Sequence, residues 1–275
     1  MDKIYITPEG QYIYTAKEKE NTEENIEIWD GITRAEPQLV NGVYKITNGA
    51  ELAYIIYNGG QEGAYYKLTK DIYLNDVNKV DWGTGAIESD YIIRKWFQNW
   101  NWSPTGGQVI PTATAFKGTL DGDGHTIYGL YVNCNVNTYA TSTAYGAALI
   151  PKADKNVVIK NLGINHCYIN SQYIAGGFVA TVNGGGTLSF DSCYVGGGAH
   201  FSGNNIGIFV GQPQNYGCAV SIINCYCMSS DATKTTGNKG LYISTWGGVT
   251  IKNCYSFTPF SSNETTTGVL IQNCY

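Results

Sequence analysis

Arginine is almost missing from this sequence. Arg34 and Arg94 are its only examples, and the formal net charge is -5. Such a chain has no basic stripe to neutralise phosphates, which excludes nucleic acid as a partner class. Charged residues of any kind make up only 14% of the 275 positions, whereas helices usually carry Lys, Glu and Arg on their solvent side. That scarcity, with 34 Gly and 22 Tyr, favours many short strands joined by Gly and Asn turns. Acids thin out as well: from residue 126 onward only Asp154, Asp191, Asp231 and Glu264 remain. No uncharged apolar run is long enough to span a bilayer, and the opening MDKIYITPEGQYIY has no apolar h-region. As written, the sequence predicts neither membrane insertion nor Sec export. No cysteine precedes Cys134, and none of the eight forms a CxxC pair, which removes the usual spacing of a structural zinc site. Neither GxSxG nor HExxH occurs, and His125, His166 and His200 are too dispersed to suggest a metal centre.

What is present is a repeat. The pattern recurs as IYGLYV (127–132), IKNLGI (159–164), FDSCYV (190–195), IINCYC (222–227), IKNCYS (251–256) and IQNCY (271–275). Its third positions are Gly129, Asn161, Ser192, Asn224, Asn253 and Asn273, residues that accept turn geometry or a positive φ. A second element, GAALI, GGFVA, GIFVG or GLYIS, precedes most copies. Units this short and free of helix cannot bury their own apolar face, so they must stack coil upon coil. In such a stack every pattern position becomes a ladder. The fourth position is then core, reading Leu130, Leu162, Cys193, Cys225, Cys254 and Cys274, where Cys stands in for Leu as a small buried hydrophobe. The fifth is expected to face solvent as an aromatic stripe that includes Tyr131, Tyr194, Tyr226, Tyr255 and Tyr275. Such a stripe either shields the strands or offers rings to a sugar or a protein.

Residues 1–41 differ from the rest. A hairpin KIYITPEGQYIYT leads into the acidic AKEKENTEENIE, which reads as an arm that docks on something or stays mobile. Asn48 with Glu51 three residues on, followed by Leu52, Ile55 and Ile56, predicts a short capped helix ending at Asn58-Gly59-Gly60 and plugging the first coil. Tyr66, Leu68, Ile72 and Leu74 then supply the first rungs. An aromatic-rich insertion at 77–109 holds Trp82, Trp96, Trp100 and Trp102 and is either a binding projection or a self-packed minicore.

The series ELAYII, YYKLTKDIYL, a Trp-containing stretch, FKGTLDGDGHTIYGL, IKNLGI and repeated IxNCY resembles the GLUG-motif β-helix repeats of bacterial surface proteins and some phage proteins, within the pectin-lyase-like superfamily. The resemblance covers 42–275, and FKGTLDGDGHTI is its most specific part. It implies an all-β fold, a right-handed parallel β-helix with a short N-terminal capping helix and an extended N-terminal arm. It does not imply an enzyme, because the superfamily hosts lyases, hydrolases, adhesins and phage tail proteins.

One constellation could carry chemistry. Asp121 and Asp123 lie eight and six positions before Gly129, and Asp154 lies seven before Asn161, so neighbouring coils could gather three carboxylates beside His125. That cluster would suit Ca²⁺ or the acid-base work of a polysaccharide lyase or glycoside hydrolase. The other reading makes Asp121-Gly122 and Asp123-Gly124 consecutive turns whose side chains accept backbone N–H bonds, and this is the preferred one. The overall expectation is therefore a non-catalytic structural or receptor- and glycan-binding protein without a cofactor, with Tyr194, Tyr226, Tyr255, Trp96, Trp100 and Trp102 as ligand candidates. A phage tail or virion component made in the cytoplasm is expected, with a cell-surface adhesin as the alternative. Other subunits are expected to engage the N-terminal arm and an open C-terminal coil.

The cysteine ladder generates a first prediction: all or nearly all eight thiols are free in the native protein. Thiol titration after denaturation without reductant checks this, and half or fewer reacting would point to bridges instead.

Overall fold

The computed structural model describes residues 3–6, 12–15, 26–96, 114–134, 146–171, 174–182, 185–203, 205–213, 218–229, 232–234, 239–242, 248–257 and 269–275. Strands dominate, and nearly all belong to three sheets with parallel pairing. The first sheet runs, neighbour by neighbour, through Gln38–Val40, Val43–Ile46, Gly60–Leu68, Lys117–Asp121, Val157–Lys160, Thr187–Asp191, Ala219–Ile223, Val249–Lys252 and Val269–Gln272. The second begins with Ile72–Tyr73, Thr126–Cys134 and Gly163–Ser171. It then divides into Tyr194–Val195, Tyr226–Cys227 and Tyr255–Ser256 on one arm, and Ala199–Gly203 with Ala232–Lys234 on the other. The third places Ile150–Ala153 beside Val179–Val182, then pairs both Val179–Val182 and Ile174–Gly176 with Asn205–Pro213, which pairs in turn with Lys239–Tyr242. From Val157 on, the chain visits first, second and third sheet in a fixed order and returns, so each repeat lies beside the one before it.

Alternation along these strands sends one set of side chains inward. In the first sheet that row is Leu120, Ile159, Phe190, Ile222, Ile251 and Ile271. All but Ile271 are essentially buried, each aliphatic one stabilising by roughly 1.5–3 kcal/mol on removal from water. Phe178, Phe190 and Phe209 pack against each other with ring centroids 5.2–5.7 Å apart at the centre of the same core. The helix Gly49–Asn58 begins as the sequence predicts. Asn48 accepts the N–H of Glu51 at 3.0 Å, and the chain leaves through left-handed Gly59, whose N–H bonds to Ile55 O. Its buried Leu52, Ala53, Ile55 and Ile56 join the common core.

Between the first and second sheets the chain turns through one residue in the left-handed region: Asn161, Ser192, Asn224, Asn253 and Asn273 have φ of 49–55°. Asparagine tolerates that conformation, and here its amide has a second use. Asn273 Nδ2 donates to Asn253 Oδ1 at 3.3 Å, Asn253 to Asn224 at 3.1 Å, and Asn224 to Asp191 at 3.0 Å. Asn161 likewise donates to Asp121 at 3.0 Å. The fourth-position ladder that follows is core as expected, with Leu162, Cys193, Cys225 and Cys254 buried and Cys274 half-buried. The seven described cysteines are all free thiols.

Two expectations are corrected. Gly129 is not the corner equivalent to Asn161: pairing Ile127 with Ile164 and Leu130 with Cys167 puts Gly129 beside His166, both at a second left-handed bend (φ 74° and 51°) inside the second sheet. The first corner is instead Gly122 to His125, and it holds four residues between the paired positions where the next repeat holds two, Asn161 and Leu162. The arm boundary at 41 is also revised. Lys3–Ile6 and Tyr12–Thr15 form an antiparallel hairpin, but residues 26–41 are part of the body. Ile28 bridges Tyr73, Trp29 meets Trp96 edge-on at 5.2 Å, and Arg34 lies over the Tyr57 ring at 3.7 Å.

The corner geometry yields a substitution test. Asn253→Gly removes two exposed amide bonds, to Asn224 and from Asn273, and should lose about 1–2 kcal/mol, whereas Asn253→Val also forces a β-branched residue to positive φ and should lose about 1–3 kcal/mol more in denaturant unfolding.

Candidate functional site

The most densely connected polar group lies on the outer side of the first corner. Leu120 points inward, so Asp121 points out, yet it is only 5% exposed because its neighbours close over it. In register, Asp121 stands between Lys67 and Lys160, with Asp191 one strand further. The Tyr65 hydroxyl donates to its Oδ2, Asn161 and the Asp123 N–H donate to its Oδ1, and Lys160 Nζ sits at 3.6 Å. Burial alone would raise its pKa, but these donors and the lysine charge prevail and hold the carboxyl below its ordinary value. Asp123, at φ 52°, turns away to an ion pair with Lys67 at 2.9 Å. His125 Nδ1 lies 3.2 Å from Asp71 Oδ1, and that same oxygen accepts the Thr126 N–H.

Asp154 does not join them. The bridge between Phe116 and Ala153 sets it at the Lys117 end of the strand Lys117–Asp121, where it pairs with Lys117 at 3.6 Å. That is about 13 Å along the strand from Asp121 at ~3.3 Å per residue. The expected triple juxtaposition rested on equating Gly129 with Asn161, and the true register separates the groups. Among the described residues no cluster of three His, Cys, Asp or Glu side chains could hold a metal ion. The motif does turn, with Asp121 accepting the Asp123 N–H at 2.9 Å and His125 N–H closing on Gly122 O at 2.8 Å, but the Asp123 carboxylate is seen with Lys67 at 2.9 Å.

The aromatic candidates are placed differently from one another. Trp96 is core, 3% exposed, with its indole N–H on Leu149 O at 2.9 Å, so it presents nothing to a ligand. Trp100 and Trp102 lie outside the described residues. Tyr194 and Tyr226 stack face to face, 4.9 Å apart and 3° from parallel, and Tyr255 follows in register beside Phe257. These three are therefore half-buried rather than standing in solvent, whereas Tyr275 at the end of the same row is exposed as expected. Tyr194 folds back over Gly163, where a Cβ would overlap its ring, and its hydroxyl meets Thr126 Oγ1 at 2.5 Å. Tyr131 belongs to another stack, Tyr131–Tyr168–His200, with centroids 5.1 and 5.0 Å apart.

The described part of the insertion is a minicore. Val80–Asp81 and Ala86–Ile87 form a hairpin, and Val80 and Trp82 pack with Tyr131 over the outside of the second sheet. Beneath it His166 meets Trp82 edge-on at 6.3 Å, and its buried Nδ1 has no hydrogen-bond partner among the described residues. Burial lowers the His166 pKa.

Tyr65, Lys67 and Lys160 escaped the sequence reading. The residue before the corner carried a signal for the lysine: Asp121, Lys160 and Asp191 alternate in sign across adjacent strands, and Asp191 is no isolated acid, accepting from both Ser192 and Asn224 at 3.0 Å. Tyr65 could be found only once its strand was known to lie beside Lys117–Asp121.

No family model matches the chain, and no curated protein does. One solved structure resembles it, a crystal structure named "putative immunoglobulin A1 protease" from Bacteroides ovatus, at 17% identity and a TM-score of 0.43, over 84% of this chain and 74% of that one. At that level neither fold nor activity is carried over.

Among the groups with depressed pKa values, His166 and Asp121 are the two at this site, and both set a pH dependence of stability. His166 folds neutral, so stability is lost as pH falls below about 6.5, where the unfolded chain takes a proton that the folded site resists. Asp121 contributes above about 3.9 and its contribution is lost as pH falls further, toward its depressed folded value. Denaturant unfolding against pH should show both phases. His166→Phe removes the upper one, and Asp121→Asn reduces the lower, to which Asp30 and Asp81 also contribute, while weakening the protein by about 1–3 kcal/mol at pH 7.

Proposed function

We propose that the chain is a right-handed parallel β-helix acting as a non-catalytic structural or glycan-binding protein within a larger assembly. The observation that carries this reading is the fate of the charges at the first corner. Asp121, Asp123, His125 and Asp154 each have a fixed partner in Tyr65 and Lys160, Lys67, Asp71 and Lys117. Groups held in that way brace neighbouring strands; a catalytic carboxylate needs an open side facing a substrate. The three parallel sheets and their in-register ladders support the β-helix, and the GLUG-like motif series agrees with it. The row Tyr194, Tyr226 and Tyr255 would present ring edges to a sugar chain running along it, a mode that uses Tyr as a rigid amphipathic contact. Such a protein fits a phage tail or virion component, and a bacterial surface adhesin has the same requirements.

A second reading keeps the β-helix but makes the chain a polysaccharide-degrading enzyme, favoured by Tyr65, Asp121 and Lys160 lying together on one outer face. Binding and cleavage of neutral and acidic glycans, measured with and without Ca²⁺, separate the two. The first reading expects binding without cleavage, weakened at least ~10-fold by Tyr226→Ala and unchanged by Asp123→Ala. Reproducible cleavage abolished by Asp121→Asn, in a variant whose circular dichroism is unchanged, would favour the second.

A further inference from the structure

Cys193, Cys225, Cys254 and Cys274 occupy the same position in four consecutive repeats, directly after the corners at Ser192, Asn224, Asn253 and Asn273. Their strands pair without a register shift, so the four side chains form one column. Neighbouring thiols lie within interaction range of one another, Cys225 of both Cys193 and Cys254, and Cys274 of Cys254. The Cys193 N–H points at Cys225 Sγ at 3.4 Å. Paired parallel strands lie about 4.8 Å apart, inside the span a disulfide bridges without backbone movement. The column is closed to solvent at three of its members, Cys193 and Cys225 and Cys254, and half-open at Cys274.

We infer that this column is a thiol–disulfide relay, oxidised at Cys274 by a low-molecular-weight disulfide and able to pass the bridge inward. In the first step the Cys274 thiolate attacks the reagent disulfide, forming a mixed disulfide and releasing one reagent thiolate, which takes up the proton Cys274 lost. The Cys254 thiolate then attacks the Cys274 sulfur and expels the second reagent thiol, leaving Cys254–Cys274 bridged. Two protein thiols have become one disulfide, and one reagent disulfide has become two thiols. The third step needs no reagent: Cys225 attacks Cys254, the bridge moves to Cys225–Cys254, and Cys274 is released as a thiol ready for a second cycle. A further shift from Cys225–Cys254 to Cys193–Cys225 releases Cys254.

One geometric feature favours passage along the column. Exchange proceeds through three sulfurs in line, and equivalent side chains on successive parallel strands are set in a line by the register itself. Burial at Cys225, and at Cys254 the hydrogen bond with Cys225 together with burial, push these two thiols above the ordinary thiol range, which leaves little thiolate there and makes each internal transfer the slow step. The end state after two equivalents is Cys193–Cys225 with Cys254–Cys274, tying four successive corners in pairs.

Treating the folded, reduced full chain with oxidised glutathione and mapping bridges by peptide mass spectrometry over time tests this, each bridge lowering the mass by about 2 Da. Cys254–Cys274 should form first and Cys193–Cys225 last, and Cys274→Ser should slow formation of Cys193–Cys225 at least ~10-fold. Cys274 is half-exposed, so that variant keeps the fold, which its circular dichroism verifies. Formation of Cys193–Cys225 at an unchanged rate in Cys274→Ser would overturn the relay. So would a glutathione adduct that stays on Cys274 without any internal bridge, or bridging that occurs only in denaturant.

Discussion

Everything in this molecule hangs on a single-residue corner in the left-handed region. At Asn161, Ser192, Asn224, Asn253 and Asn273 the backbone adopts φ near 50°, and the next residue is thereby thrown inward while the one before stays outward. Few side chains accept this conformation. Asparagine does, and in a stack with fixed register its amide reaches the same amide one strand away. The corner therefore sets direction, spacing and register together. A slip of one residue would turn the inward row outward and break the amide chain at once.

Once register is fixed, chemistry is sorted by row. The position before the corner collects Lys67, Asp121, Lys160 and Asp191, whose alternating signs turn a line of charges into a line of partners. Like charges facing across paired strands would repel, and the alternation removes that penalty through most of the row. The position after the corner collects small apolar side chains, and the following one collects rings that lie flat along the sheet. Gly163 shows how closely these rows fit, since the missing side chain there is what makes room for Tyr194.

Much of this was readable in the sequence. Asn48 and Glu51 gave the helix start, the Asn and Ser series gave the corners, and the Leu-to-Cys row gave core. What failed did so for identifiable reasons. IYGLYV and IKNLGI share a pattern because a left-handed Gly serves two different bends, so matching letters misplaced the first repeat. The two extra residues of the Gly122–His125 corner do not show in a count of periods, and with them went the supposed gathering of Asp154 with Asp121. Trp96 was assigned outward because its segment lies in an insertion, whereas its indole fills the space beside Trp29. Tyr194 was expected in solvent because strand alternation alone ignores what a neighbouring glycine leaves empty.

The hairpin Gln38–Val40 and Val43–Ile46, closed by left-handed Asn41 and Gly42, has a further consequence for how the chain acquires its shape. It is the one place in the first sheet where two strands meet across a two-residue loop, so its closure entropy is small, while every later pairing there closes a much longer loop. This hairpin and the helix that follows precede the other repeats on the ribosome, so each later repeat emerges to find a finished strand edge already waiting.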